Sequence, residues 1–223
     1  MDAGIVIEFG YFAVAVVFIL GLKAMSSPAT ARKGIVWAGI AMVGATLVTF
    51  ATPGLGNHAL MIAAIVLGGA LASWSGRVVK MTDMPQMVAI YNGMGGGAAA
   101  AIAALEFARG AVHGPGAATF AVLGALIGSV AFAGSCVAFA KLQGIMKKAW
   151  RLPRQNLVNV VLSALAVLLG AAIVATAAPA PGLIGAFFVL ALVLGVILTS
   201  PIGGADMPVV ISLLNAFTGL AVG

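Results

Sequence analysis

Eight long apolar stretches fill almost the whole of this 223-residue chain, separated by short breaks of glycine, proline or basic residues. A helix of about 20 residues crosses a hydrocarbon core of about 30 Å, and a helix satisfies every backbone polar group without water. We therefore predict an all-α membrane protein, a polytopic bundle of about eight transmembrane helices. The predicted spans are 4–22, 34–51, 58–76, 84–105, 116–138, 156–178, 182–199 and 207–223.

The composition agrees with a multi-pass membrane protein. The chain is 63% hydrophobic and 7% charged, with a mean hydropathy of +1.20, which lies outside the range of soluble domains. The first stretch carries Asp2 and Glu8 where a secretory signal peptide has a basic segment. We expect it to remain as the first helix.

The formal net charge of +6 could indicate a nucleic-acid partner, but the placement of the basic residues indicates membrane topology instead. They follow the first, third and fifth predicted helices, and of the 11 basic residues only Arg109 lies on the other side. By the positive-inside rule these loops are cytoplasmic and the N-terminus is outside. We predict no nucleic-acid binding. The ten residues are Lys23, Arg32, Lys33, Arg77, Lys80, Lys141, Lys147, Lys148, Arg151 and Arg154.

A polar motif occurs twice. Asp83 and Asp206 each precede Met-Pro and an apolar run, and Asn92 and Asn215 follow nine positions later. An Asp that precedes a Pro in the first turn is typical of a helix start, where the carboxylate caps free N–H groups. Both helices then start at the cytoplasmic face, which predicts a parallel internal repeat.

Each asparagine lies about 14 Å along its helix from its aspartate, near the membrane midplane. An amide without partners in an apolar medium costs about 2–7 kcal/mol, so Asn92 and Asn215 either link helices, to each other or to backbone, or face a water-filled path. Both interpretations stay open. Since an amide does not ionise near neutral pH, a proton path would need a titrating group from elsewhere.

Groups for catalysis within the chain are not found at suitable spacing: no paired carboxylates, no Ser/His/Asp set and no zinc cluster. The glycine run of residues 93–97 lacks the Lys of a phosphate-binding loop and lies mid-helix. We predict no catalytic, cofactor-binding or metal-binding residue here. We expect the glycines to loosen the fourth helix beyond Asn92.

Three segments resemble the beta subunit of proton-translocating NAD(P) transhydrogenase. They are residues 81–90 (MTDMPQMVAI), 134–142 (GSCVAFAKL) and, most specifically, 202–215 (IGGADMPVVISLLN). The resemblance extends over the chain in helix order and in the placement of basic loops.

The resemblance implies that residues 1–223 form the transmembrane proton-translocating domain of an inner-membrane complex that moves a hydride between NADH and NADP. It further implies a ninth helix, a C-terminal NADP(H)-binding domain and an alpha subunit that binds NAD(H) and adds helices, in a dimer of alpha–beta units. By itself the chain is then expected to bind no nucleotide and to catalyse nothing.

The resemblance also assigns site residues. Asn215 matches a channel asparagine of the family, and Asp206 an acidic residue that couples the path to the NADP(H) domain at the cytoplasmic mouth. Asp83 is the repeat counterpart of Asp206. Many family members carry histidine where this chain has Asn92, so a histidine of the partner subunit would supply the titrating group.

Without this resemblance, parallel repeats and polar residues at the midplane would favour a secondary transporter or ion channel. A bundle that only anchors a soluble domain is a third possibility, and the repeated motif argues against it.

Overall fold

A computed structural model describes residues 3–110, 112, 114–176 and 178–222. In this described part the regular structure is entirely helical, without strands. Each long helix lies within several residues of a predicted span, which confirms the all-α prediction and the helix number. The helices are α1 (Ala3–Met25), α2 (Ala31–Phe50), α3 (His58–Val78), α4 (Met84–Ala108), α5 (Gly114–Leu142), α6 (Gln155–Ala175), α7 (Pro181–Thr199) and α8 (Met207–Val222).

The chain divides into two compact units, with the boundary after Arg77. In the first unit α1 packs against α2 through small residues. A Cβ added at Gly34 would lie 2.6 Å from the carbonyl oxygen of Gly21, so only glycine permits this approach. The hydroxyl groups of Tyr11 and Thr49, 3.0 Å apart, add a polar link between the same two helices.

In the second unit α5 is the central helix, in contact with α4, α6, α7 and α8. The backbones of α4 and α5 almost touch: a Cβ added at Gly96 would lie 2.9 Å from the carbonyl oxygen of Gly128. Helix α4 continues without a break through the glycines of residues 93–97. These glycines allow α5 to pack closely, and the expected loosening of α4 stays a prediction.

Two apolar clusters hold the second unit together around α5. One joins α4, α5, α6 and α7, and the other fixes α8 to the opposite end of α5 through Met207 and Ile211. Burial of such side chains orients each helix about its own axis. The buried members are Ala103, Val122, Ala125, Ile173 and Phe187 in the first cluster and Ala89, Ala138, Met207 and Ile211 in the second.

The repeated motif produces a repeated local backbone. A single 3₁₀ turn precedes α4 (Met81–Asp83) and another precedes α8 (Gly204–Asp206). The Asp83 N–H donates to the Lys80 carbonyl at 2.9 Å, and the Asp206 N–H donates to the Gly203 carbonyl at 3.2 Å. The prediction that two helices begin alike is confirmed.

Candidate functional site

Asn92 lies on the face of α4 that packs against α5 and is 6% exposed. Its Nδ2 donates a hydrogen bond to the Oγ of Ser135 at 2.9 Å. Gly93 makes this contact possible, since a Cβ at that position would lie 3.1 Å from the Ser135 Cβ. The partner of Asn92 is thus a hydroxyl group, neither of the two partners that sequence reasoning considered.

The amide of Asn92 is only half satisfied. Its Oδ1 is buried and accepts no hydrogen bond from the described part of the chain. A buried acceptor left without a donor costs about 1–3 kcal/mol, a cost that a water molecule or a side chain from another polypeptide would remove. Through this oxygen Asn92 can extend a polar path from the α4–α5 contact.

Asn215 has a different environment. The face of α8 that packs on α5 contains Met207, Ile211 and Leu214, and Asn215 lies beside that face and is exposed. Its side chain has no hydrogen-bond partner within the described ranges. The structure therefore shows no hydrogen bond between Asn92 and Asn215, although they occupy equivalent positions in the two motifs.

The surroundings of Asn215 are small and polar. Helical spacing places Ser212 and Gly219 on the same side of α8 as Asn215, and all three residues are exposed. We call Ser212, Asn215 and Gly219 the polar flank of α8. A flank of small and polar side chains is typical of a surface that packs against another membrane helix.

The aspartate at the start of α4 does not behave as predicted. Asp83 is in the N-cap position of α4 but makes no capping hydrogen bond with its side chain, so that prediction is wrong. The 3₁₀ turn holds Asp83 at φ −101° and ψ 3°, outside the extended region in which an N-cap side chain reaches the first turn. Its Oδ1 instead lies 3.4 Å from the hydroxyl of Thr82. Asp206 is exposed, which leaves its carboxylate accessible.

Lys141 is the residue that sequence reasoning missed. The sequence gives it a role in membrane topology and a place in the 134–142 segment but no site role, yet it is 7% exposed in the last turn of α5. Its Nζ donates to the carbonyl of Thr199 at 3.1 Å and also to the carbonyls of Ser200 and Ile202. The carbonyls of Thr199 and Ser200 lie at the end of α7, where the helix dipole favours a cation, and Ile202 lies just beyond it. Lys141 thereby fixes the connection between α7 and the turn that ends at Asp206.

A cavity of about 610 Å³ lies between α4, α5 and α8, away from the start of α4. Its lining is mostly apolar and includes Glu106 and Leu220, but neither Asn92 nor Asn215. Glu106 is thus an acidic residue that lines a cavity between three helices.

Comparison with known proteins agrees with these features. The family model described as NAD(P) transhydrogenase beta subunit matches residues 7–223. The curated protein "NAD(P) transhydrogenase subunit beta" of Rhodospirillum rubrum is 37% identical over 221 residues, which cover 95% of this chain and 47% of the relative. A second Rhodospirillum rubrum sequence with the same description gives the same values. The chain spans about half the length of the curated relatives that it matches.

Proposed function

The chain belongs to the family of NAD(P) transhydrogenase beta subunits, and we propose that it forms the membrane part through which protons cross while a hydride moves between NADH and NADP. In this proposal the chain itself binds no nucleotide. NADP(H) binds to the cytoplasmic domain of the same subunit, and NAD(H) binds to an alpha subunit that adds transmembrane helices. Two alpha–beta units form the complete enzyme.

The buried Asn92–Ser135 pair is the observation that carries the proposal. It is a buried polar contact between α4 and α5, at a place where glycines such as Gly93 and Gly96 let the two helices approach closely. A serine hydroxyl and an amide can each donate and accept, so the pair can order a chain of hydrogen bonds. The open Oδ1 of Asn92 provides the next acceptor.

The pair cannot carry the proton alone, because neither an amide nor a serine hydroxyl titrates near neutral pH. We therefore place the titrating group on a neighbouring helix of the alpha subunit, as a histidine, whose pKa normally lies close to neutrality. The polar flank of α8 is the surface proposed to face that helix. This assignment gives the exposed Asn215 a polar surrounding in the intact complex.

Coupling to the nucleotide domain is proposed to occur at the cytoplasmic ends of α4 and α8. The basic loops support this orientation, and both helices contact α5 in the same sense. Along α4, Gly93 packs near Ser135 and Gly96 near Gly128 of α5. Along α8, Leu214 packs near Gly134 and Ala221 near Gly124. Both helices thus run antiparallel to α5, as expected for a parallel repeat. Asp206 is then an exposed carboxylate at the mouth, and Asp83 its less exposed counterpart.

The proposal is tested on the intact complex in sealed vesicles, with a pH-sensitive dye and an optical assay of hydride transfer. We expect proton movement only when both nucleotides are present, and an uncoupler should abolish the pH gradient without stopping hydride transfer. Proton movement that is independent of nucleotides would instead support the transporter or channel alternative.

A further inference from the structure

The loop between α5 and α6 contains a cationic cavity that the proton path does not use. The cavity has a volume of about 610 Å³, and Arg151 and Arg154 line it together with polar side chains at the start of α6 and Pro201 beyond the end of α7. Residues 143–155 contain four basic residues and no acidic residue. The loop therefore has no carboxylate of its own to neutralise the two guanidinium groups.

Hydrogen bonds hold this loop in place at both ends. The Trp150 N–H donates to the carbonyl of Ser200 at 3.1 Å. Gln155 accepts from the Leu152 N–H at 2.9 Å and donates to the carbonyl of Ile197 at 3.0 Å. The backbone that carries the two arginines is thus fixed to the end of α7 before any ligand binds. Preorganisation of this kind lowers the entropy cost of binding.

The cavity continues into an apolar surface along α6. Leu157 lines the cavity and is 54% exposed. Val161, Leu165 and Leu168 follow on the same side at helical spacing, and all are exposed. This arrangement matches a phospholipid, because the guanidinium groups can bind its anionic headgroup and the exposed apolar strip can contact an acyl chain. The exposed indole of Trp150 is typical of the boundary between headgroups and acyl chains.

We propose that this cavity binds one anionic phospholipid, with its phosphate between Arg151 and Arg154 and an acyl chain along Leu157, Val161 and Leu168. An arginine pair suits a phosphate because the planar guanidinium can donate two parallel hydrogen bonds. Anionic lipids are enriched in the cytoplasmic leaflet, to which the positive-inside rule assigns this loop. A bound lipid would stabilise the loop against the end of α7, next to the carbonyls that Lys141 also binds.

The test uses the intact complex in detergent and native mass spectrometry with dioleoyl phosphatidylglycerol and dioleoyl phosphatidylcholine. We expect one retained phosphatidylglycerol per copy of this chain and no comparable retention of phosphatidylcholine. The double variant Arg151→Gln/Arg154→Gln should weaken this retention about tenfold or more, because two charges near the headgroup are lost. The matched double variant Lys147→Gln/Lys148→Gln removes the same charge from exposed positions outside the cavity and should retain the lipid.

Three results would overturn the site. Equal loss in both double variants would show general attraction to the basic loop. Displacement of the lipid by inorganic phosphate would assign the cavity to a free anion. Equal retention of both lipids by the unaltered complex would exclude a selective site, and this last measurement does not depend on whether a variant folds. None of these results depends on proton pumping, so the lipid site and the proposed function are tested separately.

Discussion

The Nδ2 of Asn92 donates to the Oγ of Ser135 over 2.9 Å, across a helix contact in which glycines allow close approach. The other half of the amide, Oδ1, has no partner in the described ranges of the chain. A link between helices alone would require only the bond that is present. Because Oδ1 can still accept a hydrogen bond, Asn92 can link α4 to α5 and also take part in a hydrogen-bonded path.

The first prediction concerns the bond itself. Ser135→Ala should lower the free energy of unfolding of the intact complex by about 1–2 kcal/mol, because it removes the acceptor that the described part of the chain offers to the buried Asn92 Nδ2. Ser129→Ala is the matched control, since Ser129 is 1% exposed on the same helix and its Oγ has no partner among the described residues. Thermal unfolding in detergent measures both. Equal destabilisation by the two variants would show that the lost volume, not the hydrogen bond, matters.

A second prediction follows from the buried ammonium group of Lys141. Lys141→Met should destabilise the complex by about 3 kcal/mol, because three carbonyls at and just beyond the end of α7 lose a charged donor. Lys147→Met removes the same charge from an exposed position and should leave the unfolding temperature almost unchanged. An unaltered unfolding temperature for Lys141→Met would contradict the conclusion that Lys141 stabilises the connection after α7.

Close packing of α4 on α5 gives the third prediction. In Gly96→Ala the new Cβ would lie 2.9 Å from the Gly128 carbonyl oxygen, so the helices must separate at a cost of about 1–3 kcal/mol. Gly185→Ala in α7 adds the same methyl group where nothing lies within 4 Å and should be neutral or stabilising by up to about 1 kcal/mol. The unfolding temperature should therefore fall in Gly96→Ala and stay the same or rise in Gly185→Ala. A stable Gly96→Ala variant would mean that this contact is looser than described.

Membrane orientation is tested by cysteine labelling. Cys136 is exposed and is first replaced by alanine to provide an unreactive background. Lys148→Cys should react with a membrane-impermeant maleimide only from the cytoplasmic side, and Ala180→Cys only from outside, because the positive-inside rule assigns these loops to opposite faces. Reversed labelling would overturn the proposed orientation, including the placement of Asp206 at the cytoplasmic mouth.

The positions of the helices could be predicted from the sequence because the membrane fixes the length of each span, and glycine, proline and basic residues mark the breaks. The shared start of α4 and α8 was also predictable, since one short motif determines it. The conformation of Asp83 within that start was not, because an Asp-Met-Pro motif does not distinguish a 3₁₀ turn from a standard N-cap.

Contacts between helices were harder to predict. Ser135 is one of several small polar residues in α5, and only the rotation of α5 about its axis selects it as the partner of Asn92. Lys141 resembled an ordinary lysine at a cytoplasmic helix end, which is usually solvated. Its burial depends on where α7 ends, and hydropathy carries no such information.

The most direct test of the proposed proton path is the variant Asn215→Leu, measured in the intact complex as proton pumping in vesicles together with complex yield. Leucine keeps the approximate volume but removes both donor and acceptor, so we expect a near-normal yield and the loss of most proton-coupled hydride transfer. Asn92→His is the companion variant and should keep pumping, because an imidazole Nδ1 lies as many bonds from the backbone as the amide Nδ2 that reaches Ser135. Normal pumping at normal yield in Asn215→Leu would contradict the account and remove Asn215 from the proton path.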